Sequence, residues 1–357
     1  EPSSINGTPS LIPDTQQGDL NIAPERQEEF EIGFDAGLLD NRLGIEFTYY
    51  KQDVTDLLLP RELSPSTGFG SRIENVGDLE NKGVELLLRE SPIRTDDFSW
   101  DVIATFSQND NVVTRVAGGG QFALAGSFAT NYVIEGEPLG VFFRQFYARD
   151  ADGSISLDED GYPFRGTTED GQGSKVIGDP NPDFVANINN TFSYKNFSLG
   201  FQFNWTQGGD IWSSTISTLL GRGLIVETLD RENTFVLPGV QQSDGRVNDV
   251  QINNSDYYFN NILGNISELQ VFDATVLRLQ EVTLGYALPK KFLEDTPFGS
   301  LSFTVSGFNL WYDAINTPDG ANFDPNTSGT GVGNGFGFEF LNGPSSRRYG
   351  FSVKATF

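Results

Sequence analysis

At 357 residues the chain has room for two ordinary domains or one large β structure. It contains no Cys, no His and no Met, which removes disulfides, thiolate metal sites, the commonest general base and any Ser-His or Cys-His nucleophile. A formal net charge of −26 argues against a nucleic-acid partner, whose phosphates need a basic surface; it reads as a solvated acidic loop surface, with adaptation to high salt and cation binding as the other readings.

No run of about 18 apolar residues occurs, so no transmembrane helix is expected. A barrel strand needs only about ten residues of alternating character, which averaged hydropathy misses. The chain opens on Glu1, which reads as a mature terminus or, in preference, as the start of a piece of a longer protein. Residues 1–25, rich in Pro, Ser, Asn and Gly, read as a loop or a ragged start.

Paired alternating segments follow. Phe30, Ile32, Phe34, Ala36 and Leu38 share one parity, and after the turn Leu39-Asp40-Asn41-Arg42 so do Leu43, Ile45, Phe47 and Tyr49. Gly44, Glu46, Thr48 and Tyr50 lie between them, as an inner polar face requires. The pattern returns at Val84, Leu86 and Leu88, then at Phe98, Trp100, Val102, Ala104 and Phe106. Phe184, Ala186, Ile188, Phe192 and Tyr194 run to the tight turn Lys195-Asn196, and Phe197, Leu199, Phe201, Phe203 and Trp205 come back. Val282, Leu284, Tyr286 and Leu288 precede a turn at Pro289, and Leu301, Phe303 and Val305 follow it. The last strand carries Tyr349, Phe351, Val353, Ala355 and Phe357 on one face and ends the chain on an aromatic residue, the form of a barrel-closing, barrel-assembly strand.

Short links near 39–43, 93–97, 195–196 and 289–299 alternate with long ones near 58–78, 112–183, 208–273 and 312–345. Outer-membrane barrels put short turns in the periplasm and long loops outside. Nine strands alternate without conflict if 112–183 is one loop or holds an even number of extra crossings, Leu139 to Tyr147 being the candidate extra strand. The competing reading is a soluble β-sandwich. The Phe, Tyr and Trp content of one face, the Asn, Gln, Thr and Glu content of the other, and the two-sided loop lengths favour an all-β transmembrane antiparallel barrel. Trp100, Trp205 and Trp311 suit an interfacial girdle.

Five segments together resemble SusC/RagA-type TonB-dependent transporters. They are Pro24-Glu25-Arg26 through Tyr50; Asn75-Val76-Gly77 with Asn81-Lys82-Gly83-Val84-Glu85; and Ile177-Gly178-Asp179-Pro180-Asn181-Pro182-Asp183-Phe184. The fourth is Leu277-Arg278-Leu279 with Thr283-Leu284-Gly285-Tyr286, and the fifth joins Gly307-Phe308-Asn309-Leu310-Trp311, Phe323-Asp324-Pro325-Asn326 and Pro344-Ser345-Ser346-Arg347-Arg348-Tyr349. The resemblance implies that residues 26–357 are the C-terminal part, about 9–11 strands, of a 22-stranded barrel with long extracellular loops. It further implies a plug and a TonB-contact segment outside these residues, a SusD-like surface lipoprotein as partner, and the bacterial outer membrane as location.

No enzyme constellation is visible, and no cofactor is expected. One weak calcium candidate places Gly153 at a sharp turn with Asp150 and Asp152 as ligands and Glu159 in the bidentate position, although Ala148 stands where the first ligand belongs. Consecutive solvated Asp-Gly turns are the plainer reading. Gly329-Thr-Gly-Val-Gly-Asn-Gly335 resembles a phosphate cradle only superficially and reads as an extracellular loop. Trp212, Tyr257, Tyr258 and Phe259 are candidate sugar-stacking aromatics; peptide import fits the same groups. The expected function is TonB-dependent import of an oligosaccharide or peptide. The alternatives are a complete small passive pore and a surface β adhesin.

Overall fold

A computed structural model describes residues 14–124, 131–169, 171–262, 266–327 and 335–357, together with the backbone of 2–5 and 8–11. All nine expected stretches are strands: β1 (Arg26–Leu38), β2 (Leu43–Glu62), β3 (Ser71–Arg94), β4 (Phe98–Val116), β5 (Phe184–Tyr194), β6 (Phe197–Gln207), β7 (Val276–Ala287), β8 (Ser300–Asp313) and β9 (Arg348–Thr356). They form one antiparallel meander in chain order. Among the described residues β1 and β9 do not pair with each other.

Register carries each apolar stripe onto the next. Phe34 faces Phe47, Phe47 faces Leu86, Leu86 faces Phe106 and Phe106 faces Ala186. Nearer the short turns, Phe192 faces Leu199, then Leu284, Val305 and Phe351 follow in the same row. A sandwich would bury these side chains, yet Phe34 is 55% exposed, Leu284 53% and Phe351 67%. That exposure on a continuous aromatic and aliphatic band is what a lipid-facing surface requires. Asn190 stands in this outer stripe and is buried, its side-chain oxygen accepting a bond from the Trp100 indole at 3.1 Å.

The short turns follow local chemistry. Leu39, Asp40 and Asn41 all take positive φ (53°, 55° and 62°), and Lys195 takes 51° in the two-residue link between Tyr194 and Phe197. Asp and Asn tolerate that region better than other side chains, because their short polar groups bond locally.

The long side differs from the expectation in two places. The link read at 58–78 is mostly strand, since β2 continues to Glu62 and β3 begins at Ser71. Its Asn, Asp and Gly residues build bulges: register shifts at Val54/Leu57, Asp56 takes φ 56°, and Asn75 Nδ2 donates to the Asp56 carbonyl at 2.6 Å. These extensions bury Val54, Val76, Leu79, Val113 and Val116 against Phe122, Leu124 and Val133. The second difference is Leu139 to Tyr147, which supplies no crossing. Phe142–Arg144 pairs with Lys175–Gly178 away from the main sheet, while β4 pairs directly with β5. Among the described residues, 117–183 adds no strand to the main sheet. Within 1–25, residues 2–5 pair with 8–11, and Gln16-Gln17 lies parallel to Ser71-Arg72.

The long loops fold on one another. Asp210–Trp212 pairs with Val271–Asp273, and Trp212-Ser213 runs parallel to Phe338-Glu339. The short helix α1 (Ser214–Gly221) buries Ile216 and Leu220 with Ile211, Ile225 and Phe323. Glu339, fully buried, accepts from Ser213 Oγ at 2.8 Å and from the Thr215 amide at 2.9 Å, so its carboxylate satisfies the first turn of α1.

Candidate functional site

The inner faces of the strands form a wet wall. At one level the partners run Thr105, Asn187, Asn204, Arg278, Tyr312 across five strands. Asn187 donates to Thr105 Oγ1 at 3.2 Å and Asn204 donates to Asn187 at 2.9 Å. On β1 to β4, Gln52 donates to Glu29 at 2.9 Å, Asn81 to Gln52 at 3.1 Å and the Tyr50 hydroxyl to Asn109 at 2.8 Å. Arg89 pairs with Glu46 on the same face. Polar side chains that bond sideways along the wall, with their remaining valences open to water, suit a hydrated passage.

Within this row, near the extracellular ends of the strands, Arg278 forms a buried ion pair. Arg278 donates to both Asp324 oxygens, at 2.9 and 2.5 Å, and to Asn309 Oδ1 at 2.6 Å, with its guanidinium 5.5 Å from the Tyr312 ring centre. Arg278 and Asp324 are each 4% exposed. Burial works to raise the Asp324 carboxyl, but the bonds from Arg278 and Ser345 outweigh it and hold the group below its ordinary value. Bidentate pairing fixes both distance and plane, so the loop carrying Asp324 is pinned to the strand carrying Arg278. A second pin joins Ala23 to the β2–β3 extension through Asn75, whose side chain accepts from the Ala23 amide at 2.8 Å and donates to its carbonyl at 3.0 Å. Asp78 receives Arg115 at 2.6 and 2.9 Å beside it.

Two clefts open at this level. One, of about 580 Å³, lies between the end of β8 and residues 314–323 and 344–347, and is lined by Asn309, Tyr312, Asp313, Asp319, Asn322 and Arg347 among others. The other, of about 360 Å³, is lined by Arg222, Arg231, Asp256, Tyr258 and Phe259. Of the four aromatics singled out from sequence, Tyr258 and Phe259 border this second cleft. Tyr257 is buried edge-on against Phe235, which pushes its hydroxyl up to about 12. Trp212 packs against Phe338 in the loop core.

Asp150 and Asp158 each close an Asp-Gly turn. Asp150 Oδ1 accepts from the amides of Asp152 and Ser154 at 3.1 and 2.9 Å; Asp158 Oδ1 accepts from those of Asp160 and Tyr162 at 3.1 and 2.8 Å. Among the described residues no three acidic side chains converge where an ion would sit, Asp150, Asp152 and Glu159 included. The glycine run 329–335 lies, but for Gly335, outside the described residues. Tyr349, Phe351, Val353 and Phe357 all point outward and are exposed.

Of the residues at the centre of this arrangement, Arg278 falls in the fourth of the five family-like segments, and Asn309 and Asp324 fall in two stretches of the fifth. The sequence signal was a charge set between leucines in Leu277-Arg278-Leu279.

An outward lipid-facing band, a hydrogen-bonded polar inner wall, short turns on one side and packed loops on the other define a segment of outer-membrane β-barrel wall. The TonB dependent receptor-like β-barrel family model matches residues 3–162. TonB-dependent receptor P3 of Formosa agariphila is 31% identical over 312 residues, covering 81% of this chain and 30% of that protein. TonB-dependent receptor SusC of Bacteroides thetaiotaomicron is 25% identical over 284 residues, covering 75% of this chain and 26% of its own. In fold, the chain superposes over its full length on 38% of a chain in the structure of the RagAB peptide transporter, with a TM-score of 0.68 at 19% identity. The chain spans about a third or less of the curated relatives it matches. In sequence and in fold the chain resembles the SusC/RagA-type TonB-dependent receptors of the bacterial outer membrane, and its relatives are receptors and transporters rather than enzymes.

Proposed function

We propose that this chain forms part of the wall and mouth of an energised importer for an oligosaccharide or peptide. A SusD-like surface lipoprotein would cover the mouth, and the TonB complex would act through residues outside this chain. The observation that carries the reading is the polar row Thr105–Asn187–Asn204–Arg278–Tyr312, which crosses five strands on the inner wall near the loop ends and reaches a cleft among the pinned loops at Tyr312. Binding groups at the entrance and a wet path beneath them are what uptake needs. The exposed terminal strand is proposed to serve assembly of the barrel. Purification of the whole protein in mild detergent should bring down a lipoprotein, and uptake of labelled substrate should stop when TonB is deleted. Uptake that survives the deletion would point instead to a passive pore. Calcium at Asp150, Asp152 and Glu159 stays a separate proposal. It requires a calcium-dependent rise in thermal stability that Asp152→Ala abolishes; equal melting with calcium and with chelator would remove it.

A further inference from the structure

We propose that the neighbouring turns joining β5 to β6 and β7 to β8 form a headgroup site for an anionic phospholipid of the periplasmic leaflet. Both lie on the short-turn side, which outer-membrane barrels turn to the periplasm. Three of the seven lysines in the chain stand on them: Lys195 on the first, Lys290 and Lys291 on the second. The two turns are latched together. The Ala287 amide donates to the Asn196 carbonyl at 2.9 Å, and Asn196 Nδ2 donates to the Ala287 carbonyl at 2.9 Å. Leu288 and Pro289 alone separate that latch from Lys290. Such a site anchors the barrel whatever passes through it.

The second turn is built unlike the two-residue link at Lys195-Asn196. It runs from Leu288 to Gly299 and is ordered throughout. The Leu288 amide donates to Leu301, the single 3₁₀ turn Lys290–Phe292 closes on Pro289, and Leu293 is buried beneath it. Phe292, next to Leu293, stays 59% exposed, with the Lys291 ammonium 5.0 Å from its ring centre. Lys195 stands likewise over the Tyr194 ring, at 5.4 Å. An exposed ring with an ammonium at its face suits the boundary between hydrocarbon and headgroups, where each half of the pair meets its own solvent. Further rings lead up to that boundary. The last outward row before these turns runs Tyr194, Phe197, Tyr286, Phe303, with the rings of Phe197 and Tyr286 4.6 Å apart.

The ligand class follows from charge and level. Among the described residues no carboxylate forms an ion pair with Lys290 or Lys291, although Glu294 and Asp295 lie on the same turn; Lys195 has the Asp97 carboxylate at 3.9 Å. In a chain of net charge −26, three ammonium groups with one distant carboxylate between them are open to an anion from outside. An ammonium binds phosphate as a compact point charge, and each one near an anionic lipid surface is worth roughly fivefold in affinity. A soluble anion would have no use for the exposed rings. A zwitterionic headgroup would bring its own cation up against the lysines. An anionic glycerophospholipid satisfies both layers, with its phosphate on the lysines and its acyl chains along the aromatic row.

The test uses the full-length receptor in detergent, offered equal amounts of phosphatidylglycerol and phosphatidylethanolamine, with retained lipid counted by native mass spectrometry. Wild type should retain phosphatidylglycerol in preference. Lys195→Gln, Lys290→Gln and Lys291→Gln should each cut that preference about fivefold, and the triple variant should abolish it. Arginine at the same three positions should keep it, which separates lost charge from lost fold. Arg42→Gln with Arg94→Gln, at the other short turns, should change it by less than about twofold. Phe292→Ser should weaken retention, and free glycerol phosphate at millimolar concentration should not displace the lipid. An unchanged preference in the triple glutamine variant would overturn the site, as would an equal loss in the Arg42 and Arg94 variant or in the arginine variant. Displacement by glycerol phosphate, or indifference to Phe292→Ser, would make the occupant a soluble anion and overturn the lipid.

Discussion

Arg278 shows most sharply what one residue decides. Its charge lies in the interior of the assembly, so it is tolerable only while Asp324 answers it. Arg278→Ala would leave a buried carboxylate uncompensated, at a cost of about 3–5 kcal/mol. Limited proteolysis should then cut the 314–347 loop faster while the wall strands stay protected; an unchanged cleavage pattern would mean that the pair does not hold the loop. Since Asp324 sits below its ordinary value, its contribution is full above the usual carboxylate range and fades as pH falls through the depressed one. Asp210 behaves in the opposite sense. Burial first, and then Asp273, Asp179 and Asp183, raise its carboxyl, against the single amide bond from Asp179. Stability linked to Asp210 is present at low pH and is lost as pH rises through that raised value. Asp210→Asn should therefore raise the thermal midpoint at pH 7, with the gain closing in acid, where the wild type is neutral as well. A lower midpoint at pH 7 would contradict this. Arg278 was visible in sequence as a charge between leucines, but Asp324 lies 46 residues on, and no local pattern joins them.

At the scale of the strand, period-two alternation is a local property, which is why all nine strands could be read from the chain. The upper halves of β2 and β3 could not. Asp56, Asn75 and Gly77 are residue types of loops, and only contacts across strands show that they form bulges inside a ladder. The loop core was hidden for the same reason: Ile211, Ile225 and Phe323 meet through long-range packing, not through periodicity. Likewise Tyr257, an apparent ligand aromatic, is a core residue. The two strand faces make an element-level prediction. Ile188 points outward near the middle of β5, so Ile188→Arg should cost about 2–4 kcal/mol in folding into bilayers. Asn189→Lys, one residue along but facing the lumen, should cost far less. Equal penalties at the two positions would mean that both faces meet the same surroundings.

For the molecule as a whole, charge and apolar surface are separated by environment. The aromatic and aliphatic band carries the lipid contact, the inner wall carries hydroxyls, amides and carboxylates, and the net charge of −26 is concentrated away from the band. The absence of Cys leaves a clean background for placing single spin labels. The most direct measurement puts labels at Ile188, Leu284 and Val305 on the outer face and at Asn189, Thr283 and Thr304 on the inner. In the full-length protein in liposomes, relaxation by oxygen is then compared with relaxation by a water-soluble nickel chelate. Outer labels should collide with oxygen and escape nickel, and inner labels should be reached by nickel. Outer labels shielded from both reagents, or reached by nickel, would place that band against protein or water instead of lipid.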